Sequence, residues 1–199
     1  MNTTLLGIGA VAAGAQLGLT GLAAVDPDSR PWPPDEVSGR FGLYWLLVLG
    51  IAIPFFTLVA TTAGSLYPVG VASVAGGAVF LAGAAVNVLA ADELEGPEEI
   101  LGLEWRVHTR GPFSFSRNPE VVGHAGALLG LAVAAGSWQA LVLGTLAVGW
   151  FALQPHAEEP VLADRHADEY AQYRSRVARY LDVDRVLGRC PPTATDCGN

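Results

Sequence analysis

The chain has 199 residues, of which 51% are hydrophobic and 15% charged, and its formal net charge is −8. All eleven basic residues are arginine, and the 19 acidic residues outnumber them, which excludes the basic surface typical of nucleic-acid-binding proteins. We therefore expect no nucleic-acid partner. The four histidines and two cysteines have no metal-ligand spacing, so no metal site is predicted. An acidic excess in the loops is also typical of halophilic proteins, and a salt-adapted host is one interpretation of it.

The charged residues avoid three long segments of the chain. Residues 1–25, 41–91 and 121–157 contain no Asp, Glu, Lys or Arg. A soluble core would not leave such long runs uncharged, whereas about 20 apolar residues in a helix span the hydrocarbon layer of a bilayer. This distribution predicts an integral membrane protein with the lipid bilayer as its surroundings.

The first half of the chain predicts three membrane spans. Leu5–Val25 is too long for a signal peptide and lacks a basic segment before it, although a cleaved signal remains the alternative. The proline-rich loop 26–40 separates it from the second span, Phe41–Ala63. A tight connection leads to the third span, Pro68–Ala91.

The second half predicts a polar loop and a short apolar hairpin. In the loop, Pro97 and the two glutamates after it favour a short helix, Pro97–Leu103. Spans four and five are predicted at Val121–Ala135 and Trp138–Leu153, with Gly126 and Gly130 allowing the two to pack closely.

The chain beyond Pro155 is polar and is predicted to be helical to about Leu181, with Pro160 at the start of the last helix. The predicted fold is thus an all-α membrane protein of about five transmembrane helices and a C-terminal cytoplasmic amphipathic helix. We expect a single domain, 1–199, made of the N-terminal spans (1–91), a cofactor-binding region (107–181) and a tail (182–199).

Arginine placement predicts the orientation of this domain. With five spans, all eleven arginines fall in loops on one side of the membrane. The positive-inside rule then places the N-terminus outside and the C-terminus in the cytoplasm of a cell-membrane protein. Cys190 and Cys197 lie in the tail, where we expect free thiols, with a disulfide as the alternative. The sequence does not predict an oligomeric state.

Two polar segments flank the apolar hairpin and meet at one end of it if the hairpin is antiparallel. Arg117-Asn118-Pro119 stands where the chain enters the membrane, at a helix N-terminus that favours an anion. His156, Glu158 and Glu159 stand where it leaves. The residues alone therefore predict a cytoplasm-facing polar site at the rim of an apolar cavity.

Tyr170, Tyr173 and Val177 recur at the spacing of one helical face. Such a face is expected either to fold back over the cavity or, as an ordinary amphipathic helix, to lie on the membrane surface. Periodicity does not choose between the two.

The second half also resembles a family of membrane methyltransferases that includes isoprenylcysteine carboxyl methyltransferases and phospholipid N-methyltransferases. The family pattern is Gly-Pro-(Tyr/Phe)-x3-Arg-(His/Asn)-Pro-x-Tyr-x-Gly, an apolar hairpin, Glu-Glu-x2-Leu, and Tyr-x2-Tyr-x3-Val-x-Arg. About 75 residues are covered, and the matching positions are Gly111, Pro112, Phe113, Arg117, Asn118, Pro119, Gly123, Glu158, Glu159, Leu162, Tyr170, Tyr173, Val177 and Arg179.

The resemblance implies that S-adenosylmethionine binds at the cytoplasmic end of this region. It implies that Glu158 or Glu159 pairs with the cofactor ammonium, that Arg117 or the adjoining helix N-terminus takes its carboxylate, and that a tyrosine faces the sulfonium. The cofactor-binding residues so implied are Arg117, Asn118, Pro119, Gly123, His124, His156, Glu158, Glu159, Tyr170 and Tyr173. Arg117, Asn118 and Glu159 are the implied catalytic residues.

The chain departs from the family pattern at several positions. Asn118 stands where many members have histidine, and Val121 stands where tyrosine is common, with His124 as a possible replacement. Pro160 and Ala167 replace a basic residue and a glycine. Val121 is the departure that most affects the expected site, because it removes a contact to cofactor or substrate.

The implied function is methyl transfer from S-adenosylmethionine to a small amphipathic or lipid-like acceptor, such as a prenylcysteine carboxylate, a lipid amine or a thiol. An amine or thiol needs a base, for which Glu158, Glu159 or His156 are candidates. Two alternatives remain open, a non-enzymatic membrane protein with a decayed site and, less favoured, a reductase of the sterol-reductase type.

Overall fold

The computed structural model describes residues 1–25, 37–68 and 70–181. All regular secondary structure in these ranges is helical, which confirms the predicted fold class. The helices are α1 (Asn2–Val25), α2 (Gly39–Thr61), α3 (Val71–Asp92), α4 (Pro97–Ile100), a 3₁₀ helix (Gly111–Ser114), α5 (Pro119–Ala135), α6 (Trp138–Arg165) and α7 (Ala167–Arg174). Cys190, Cys197 and the rest of the tail 182–199 lie outside the described residues, as does most of the loop 26–40.

Four of these helices are long and apolar enough to cross a membrane, judged by length and composition. They are α1, α2, α3 and α6, and α5 is a shorter apolar helix. Their outward faces expose apolar side chains such as Val11 (75%), Val74 (75%) and Leu81 (66%). Water would penalise such faces and lipid would not, so the chain forms a multi-pass membrane protein.

Helices α3 and α5 pack with their backbones in direct contact. A Cβ atom built on Gly83 would lie 2.4 Å from the Ala127 nitrogen, and one built on Gly130 would lie 2.4 Å from the Phe80 nitrogen. Small residues permit this approach, which is the usual way that membrane helices gain van der Waals contact. The prediction that Gly126 and Gly130 join spans four and five is therefore wrong, because both glycines face α3.

The turn between α5 and α6 is bonded to the connection between α2 and α3. Gly136 ends α5 in the left-handed region, with φ of 60°, and Ser137 caps α6 by accepting from the Ala140 N–H at 3.1 Å. The Gly64 N–H donates to the Ala135 carbonyl at 2.8 Å, and the Leu66 N–H donates to the Gly136 carbonyl at 2.7 Å. These bonds fix one end of the bundle and leave the polar segments at the other.

Helix α6 is longer than the sequence predicts. It runs without a break from Trp138 to Arg165 and contains Pro155 and Pro160 in its interior. The predictions that span five ends at Leu153 and that the last helix starts at Pro160 are therefore wrong. Proline is tolerated inside membrane helices, where neighbouring groups replace the lost backbone bond.

The final helix, α7, is shorter than predicted and ends at Arg174 rather than near Leu181. The chain after it turns back along the segment before α5, where the Arg117 N–H donates to the Ala178 carbonyl at 2.9 Å. Because the helix ends early, it has fewer helical hydrogen bonds than predicted, but the residues after it satisfy backbone groups that precede α5. The loop helix is also shorter than predicted, since α4 ends at Ile100 instead of Leu103.

Candidate active site

A cavity of about 460 Å³ lies at the end of the bundle where α5 begins and the last turns of α6 stand. The N-terminal half of α2, the end of α3, the loop containing α4, and α7 complete its wall. Cavities of this volume are typical of small-molecule and cofactor sites. The cavity therefore lies where the two polar segments were predicted to meet.

Glu159 is the centre of a buried charge network on the cavity wall. Its carboxylate accepts two parallel hydrogen bonds from Arg179, Nε to Oε1 at 3.0 Å and Nη2 to Oε2 at 2.8 Å. Arg117 Nη2 lies 3.4 Å from Glu159 Oε1, and Asn118 Nδ2 lies 3.5 Å from the same oxygen. Such bidentate arginine pairs are strong and geometrically specific, so one carboxylate positions three side chains.

Arg117 is only partly satisfied by this network. Its side chain is 9% exposed, and its Nε and Nη1 atoms are buried without a hydrogen-bond partner among the described residues. A buried donor without a partner costs about 1–3 kcal/mol. The guanidinium thus has two nitrogen atoms whose N–H groups meet no protein acceptor in the described part of the chain.

The segment before α5 is held by the returning chain after α7. The carbonyl of Arg179 accepts from Asn118 Nδ2 at 3.0 Å and from the Ser116 hydroxyl at 3.3 Å. The Tyr173 hydroxyl donates to the Phe113 carbonyl at 2.7 Å. The segment that contains Arg117 and Asn118 is therefore fixed by bonds from α7 and from the residues that follow it.

The two tyrosines of α7 face the cavity and remain neutral. Burial, reinforced by the Glu159 charge, raises the pKa of Tyr170 to about 12, and burial also raises the pKa of Tyr173. Their rings pack edge to face with centroids 6.3 Å apart. The Tyr170 hydroxyl is buried and has no hydrogen-bond partner within the described ranges. The site therefore offers neutral phenols rather than phenolates.

An aromatic cluster forms the apolar side of the cavity. Trp150 contacts Tyr44 with centroids 5.8 Å apart and Phe151 at 4.4 Å, and the His124 ring stacks on Phe151 at 4.3 Å. Trp45 packs edge-on against Tyr44 at 5.6 Å. Gln154 donates to the Tyr44 hydroxyl at 2.7 Å and fixes that ring. These ring faces provide the electron-rich surface that attracts organic cations.

The loop between α3 and α5 covers the cavity with a second polar group. Glu99 has a side chain only 3% exposed, and its Oε1 lies 3.1 Å from His108 Nε2. His108 also packs against Phe113 with ring centroids 5.5 Å apart. Trp105 is fixed by the bond between its carbonyl and His166 Nε2 at 3.0 Å. The loop is thus part of the site.

Most of the residues predicted for the site come together in this cavity. Those that line it are Arg117, Asn118, His124, Glu158, Glu159, Tyr170 and Tyr173. Three others lie outside the lining. Pro119 is buried at the first position of α5, Gly123 lies against Asn87, and His156 contacts Arg179 with Nε2 and Nη1 2.7 Å apart. Val121, the main departure from the family pattern, is buried and lines the cavity.

Apart from His124, the aromatic cluster was assigned no site role from the sequence, and neither were Arg179, Glu120 and the Glu99–His108 pair. Arg179 had a sequence signal, because it follows the tyrosine pair at the spacing of the resembled family. The Trp and Tyr residues of the cluster had no sequence signal for a site role, because membrane spans commonly contain these residues. Only the tertiary fold brings α2 against α6.

Comparison with known proteins identifies one family. The model of the phospholipid methyltransferase family matches residues 71–169, from the start of α3 into α7. This range contains the loop, α5, Glu158 and Glu159, and it ends one residue before Tyr170. No curated protein and no solved structure matches the chain.

Proposed function

The chain belongs to the phospholipid methyltransferase family of membrane proteins, and from this we propose that it transfers a methyl group from S-adenosylmethionine to a small amphipathic or lipid-like acceptor. When bound, the cofactor supplies an electrophilic methyl carbon on a sulfonium. The partners of the protein are then a lipid-like small molecule and the bilayer itself.

The observation that carries the proposal is the unsatisfied guanidinium of Arg117 inside the cavity. Two buried donor nitrogens without a partner among the described residues match a carboxylate, which the methionine part of the cofactor supplies. Glu158 lines the same cavity and provides a counter-charge for the cofactor ammonium. The residues therefore fit the proposed cofactor.

Methyl transfer depends more on the positioning of the two reactants and the exclusion of water than on acid–base groups. Methyl transfer is an in-line displacement, and it is accelerated when the two reactants are held in register and water is excluded. In the proposal, Glu159 acts through Arg117 and Asn118, which it positions. The aromatic cluster keeps water from the reacting atoms and faces a cation, a contact worth about 0.5–2 kcal/mol.

The arginine distribution supports a cytoplasmic site. Arg117, Arg174 and Arg179 all lie at the cavity end of the bundle, and basic loop residues favour the cytoplasmic side. We therefore place the C-terminus in the cytoplasm and the N-terminus outside, so that the cofactor enters from water and the acceptor from lipid.

Calorimetric titration of S-adenosylmethionine, and separately of S-adenosylhomocysteine, into the detergent-purified protein tests this function. We expect saturable binding that weakens at least about tenfold in Arg117→Ala, because a charge-assisted hydrogen bond contributes about 1.5–3 kcal/mol. The matched control is Arg40→Ala, which removes an exposed arginine in the first turn of α2. Its affinity should equal that of the unmodified protein.

The titration is repeated at several salt concentrations, because one interpretation of the acidic excess is a salt-adapted host, in which folding would depend on salt. Absence of binding at every concentration, with helical circular dichroism and a cooperative melting transition intact, would contradict the methyltransferase proposal. That result would favour the non-enzymatic alternative, in which the site has decayed.

A further inference from the structure

Glu120 is a second carboxylate in the cavity, two residues after Asn118 in the first turn of α5. Its Oε2 atom is buried and has no hydrogen-bond partner among the described residues. Burying a carboxylate without a partner is costly, and proteins pair such groups or keep them neutral. Glu120 therefore has one carboxyl oxygen left to bond an occupant of the cavity.

Glu120 differs from Glu159 in what surrounds it. Glu159 is already bonded to both guanidinium groups of the network, so its lone pairs are committed. No arginine donates to Glu120 in the described part of the chain. His156, another candidate base, lies outside the cavity lining and contacts Arg179. Glu120 thus differs from Glu159 in having an oxygen that no hydrogen bond of the described residues occupies.

The groups that face Glu120 come from three parts of the chain. His108 on the loop acts on its charge, and Tyr173 on α7 is close enough for the two groups to interact electrostatically. Arg117 acts on the same Tyr173 from the start of α5. Glu99 Oε1 lies 3.1 Å from His108 Nε2, and this contact orients the imidazole ring. The Glu120 carboxylate and the oriented His108 imidazole therefore both line the cavity.

We infer that Glu120, supported by the Glu99–His108 pair, binds the methyl acceptor and receives its proton, and that the acceptor nucleophile is an amine or a thiol rather than a carboxylate. This inference rests on the proposed function. A second carboxylate placed beside Glu120 would be repelled at short range in a cavity of low dielectric. An ammonium or a neutral N–H group is attracted.

The reaction balances with the groups named. The acceptor nitrogen or sulfur uses a lone pair to form the new bond to the methyl carbon, and the carbon–sulfur bond of the sulfonium donor breaks with its electron pair retained on sulfur. The donor leaves as a neutral thioether. The proton of the acceptor N–H or S–H passes to the Glu120 carboxylate, from which it reaches solvent when the products leave.

The test compares two amphiphiles of equal chain length, octylamine and octanoate, binding to the full-length protein with S-adenosylhomocysteine present. Trp45, Trp105 and Trp150 line the cavity, so intrinsic fluorescence reports occupancy. We expect octylamine to bind about tenfold more tightly than octanoate, and Glu120→Gln to remove most of that preference. Glu98→Gln, an exposed glutamate in α4, is the matched control and should keep the preference.

Equal or tighter binding of octanoate by the unmodified protein would overturn the inference, and this result does not require the variant to fold. The same holds if Glu120→Gln changes both affinities by the same factor. Initial rates of methyl transfer to octylamine against pH give a second readout, in which Glu120→Gln should lose the acidic limb. If S-adenosylhomocysteine does not bind to the unmodified protein, the proposed function fails; if it binds and the amine preference is absent, only the present inference fails.

Discussion

Glu159 of α6 and Arg179 of the returning chain are 20 residues apart in sequence and are joined by two parallel hydrogen bonds of 3.0 and 2.8 Å. The same carboxylate lies 3.4 Å from Arg117 Nη2. One side chain thus connects the end of α6, the start of α5 and the chain beyond α7. The stability of the fold and the geometry of the site depend on the same contact.

Glu159→Gln should therefore weaken both folding and cofactor binding. Removing one partner of a buried, hydrogen-bonded pair leaves the guanidinium groups uncompensated, and we expect a loss of about 1–3 kcal/mol in the free energy of unfolding. Melting in detergent and calorimetric titration measure the two effects. Arg179→Lys keeps the positive charge but cannot form the two parallel hydrogen bonds of a guanidinium. We therefore expect it to lose part of the free energy of unfolding that Glu159→Gln loses. A fully stable Glu159→Gln would contradict the structural role.

Gly83→Ala should disrupt the contact between α3 and α5. The new Cβ atom would lie 2.4 Å from the Ala127 nitrogen, which is backbone and has no room to move. We expect a loss of roughly 1–3 kcal/mol in the free energy of unfolding, as for other overpacked positions. Gly77→Ala is the matched control, because nothing lies within 4 Å of its Cβ position. It should be neutral or stabilise by up to about 1 kcal/mol.

The tyrosines of α7 should respond differently to loss of the hydroxyl. Tyr173→Phe removes a donor to the Phe113 carbonyl at 2.7 Å and should cost about 1 kcal/mol. Tyr170→Phe removes a buried hydroxyl without a partner among the described residues and should leave the ligand-free protein at least as stable. Chemical denaturation of the two variants measures the difference. Equal destabilisation would show that both hydroxyls are bonded.

Alkaline pH should destabilise the protein through these phenols. The pKa of Tyr170 is raised to about 12 in the folded chain by burial, whereas an unfolded tyrosine ionises near about 10. The stabilising contribution is thus complete below pH about 10 and is lost as the pH rises through about 12. Melting temperatures across this range, with tyrosinate absorbance as the titration signal, test the direction. If the melting temperature of Tyr170→Phe falls less at alkaline pH than that of the unmodified protein, the effect is due to Tyr170. The same fall in both proteins would contradict this explanation.

The spans and the meeting of the two polar segments were predictable from sequence. Long uncharged runs specify membrane helices because lipid imposes a length and a composition on them. Likewise, an antiparallel hairpin brings its two ends together whatever its packing, so Arg117 and Glu159 were expected to be neighbours. The structure places them 3.4 Å apart, Nη2 to Oε1.

The remaining features depend on tertiary packing. Pro155 and Pro160 look like helix boundaries in sequence, but α6 continues through both because local breaker rules are weaker in a membrane bundle. The spacing of Gly126 and Gly130 indicates a close helix contact, but it does not determine which helix is the partner. The roles of Glu99, His108 and Glu120 depend on a loop whose path only the fold defines.

The hydrogen bonds between the α2–α3 connection and the α5–α6 turn have a mechanical consequence for the opposite end of the bundle. Gly64 and Leu66 join the two turns there, so this end of α5 is held in place. A helix of 17 residues is about 26 Å long, and a rotation of roughly 5° about its far end moves its first turn by about 2 Å. Any small tilt of α5 about the joined turns would therefore be largest beside Arg117, at the cavity.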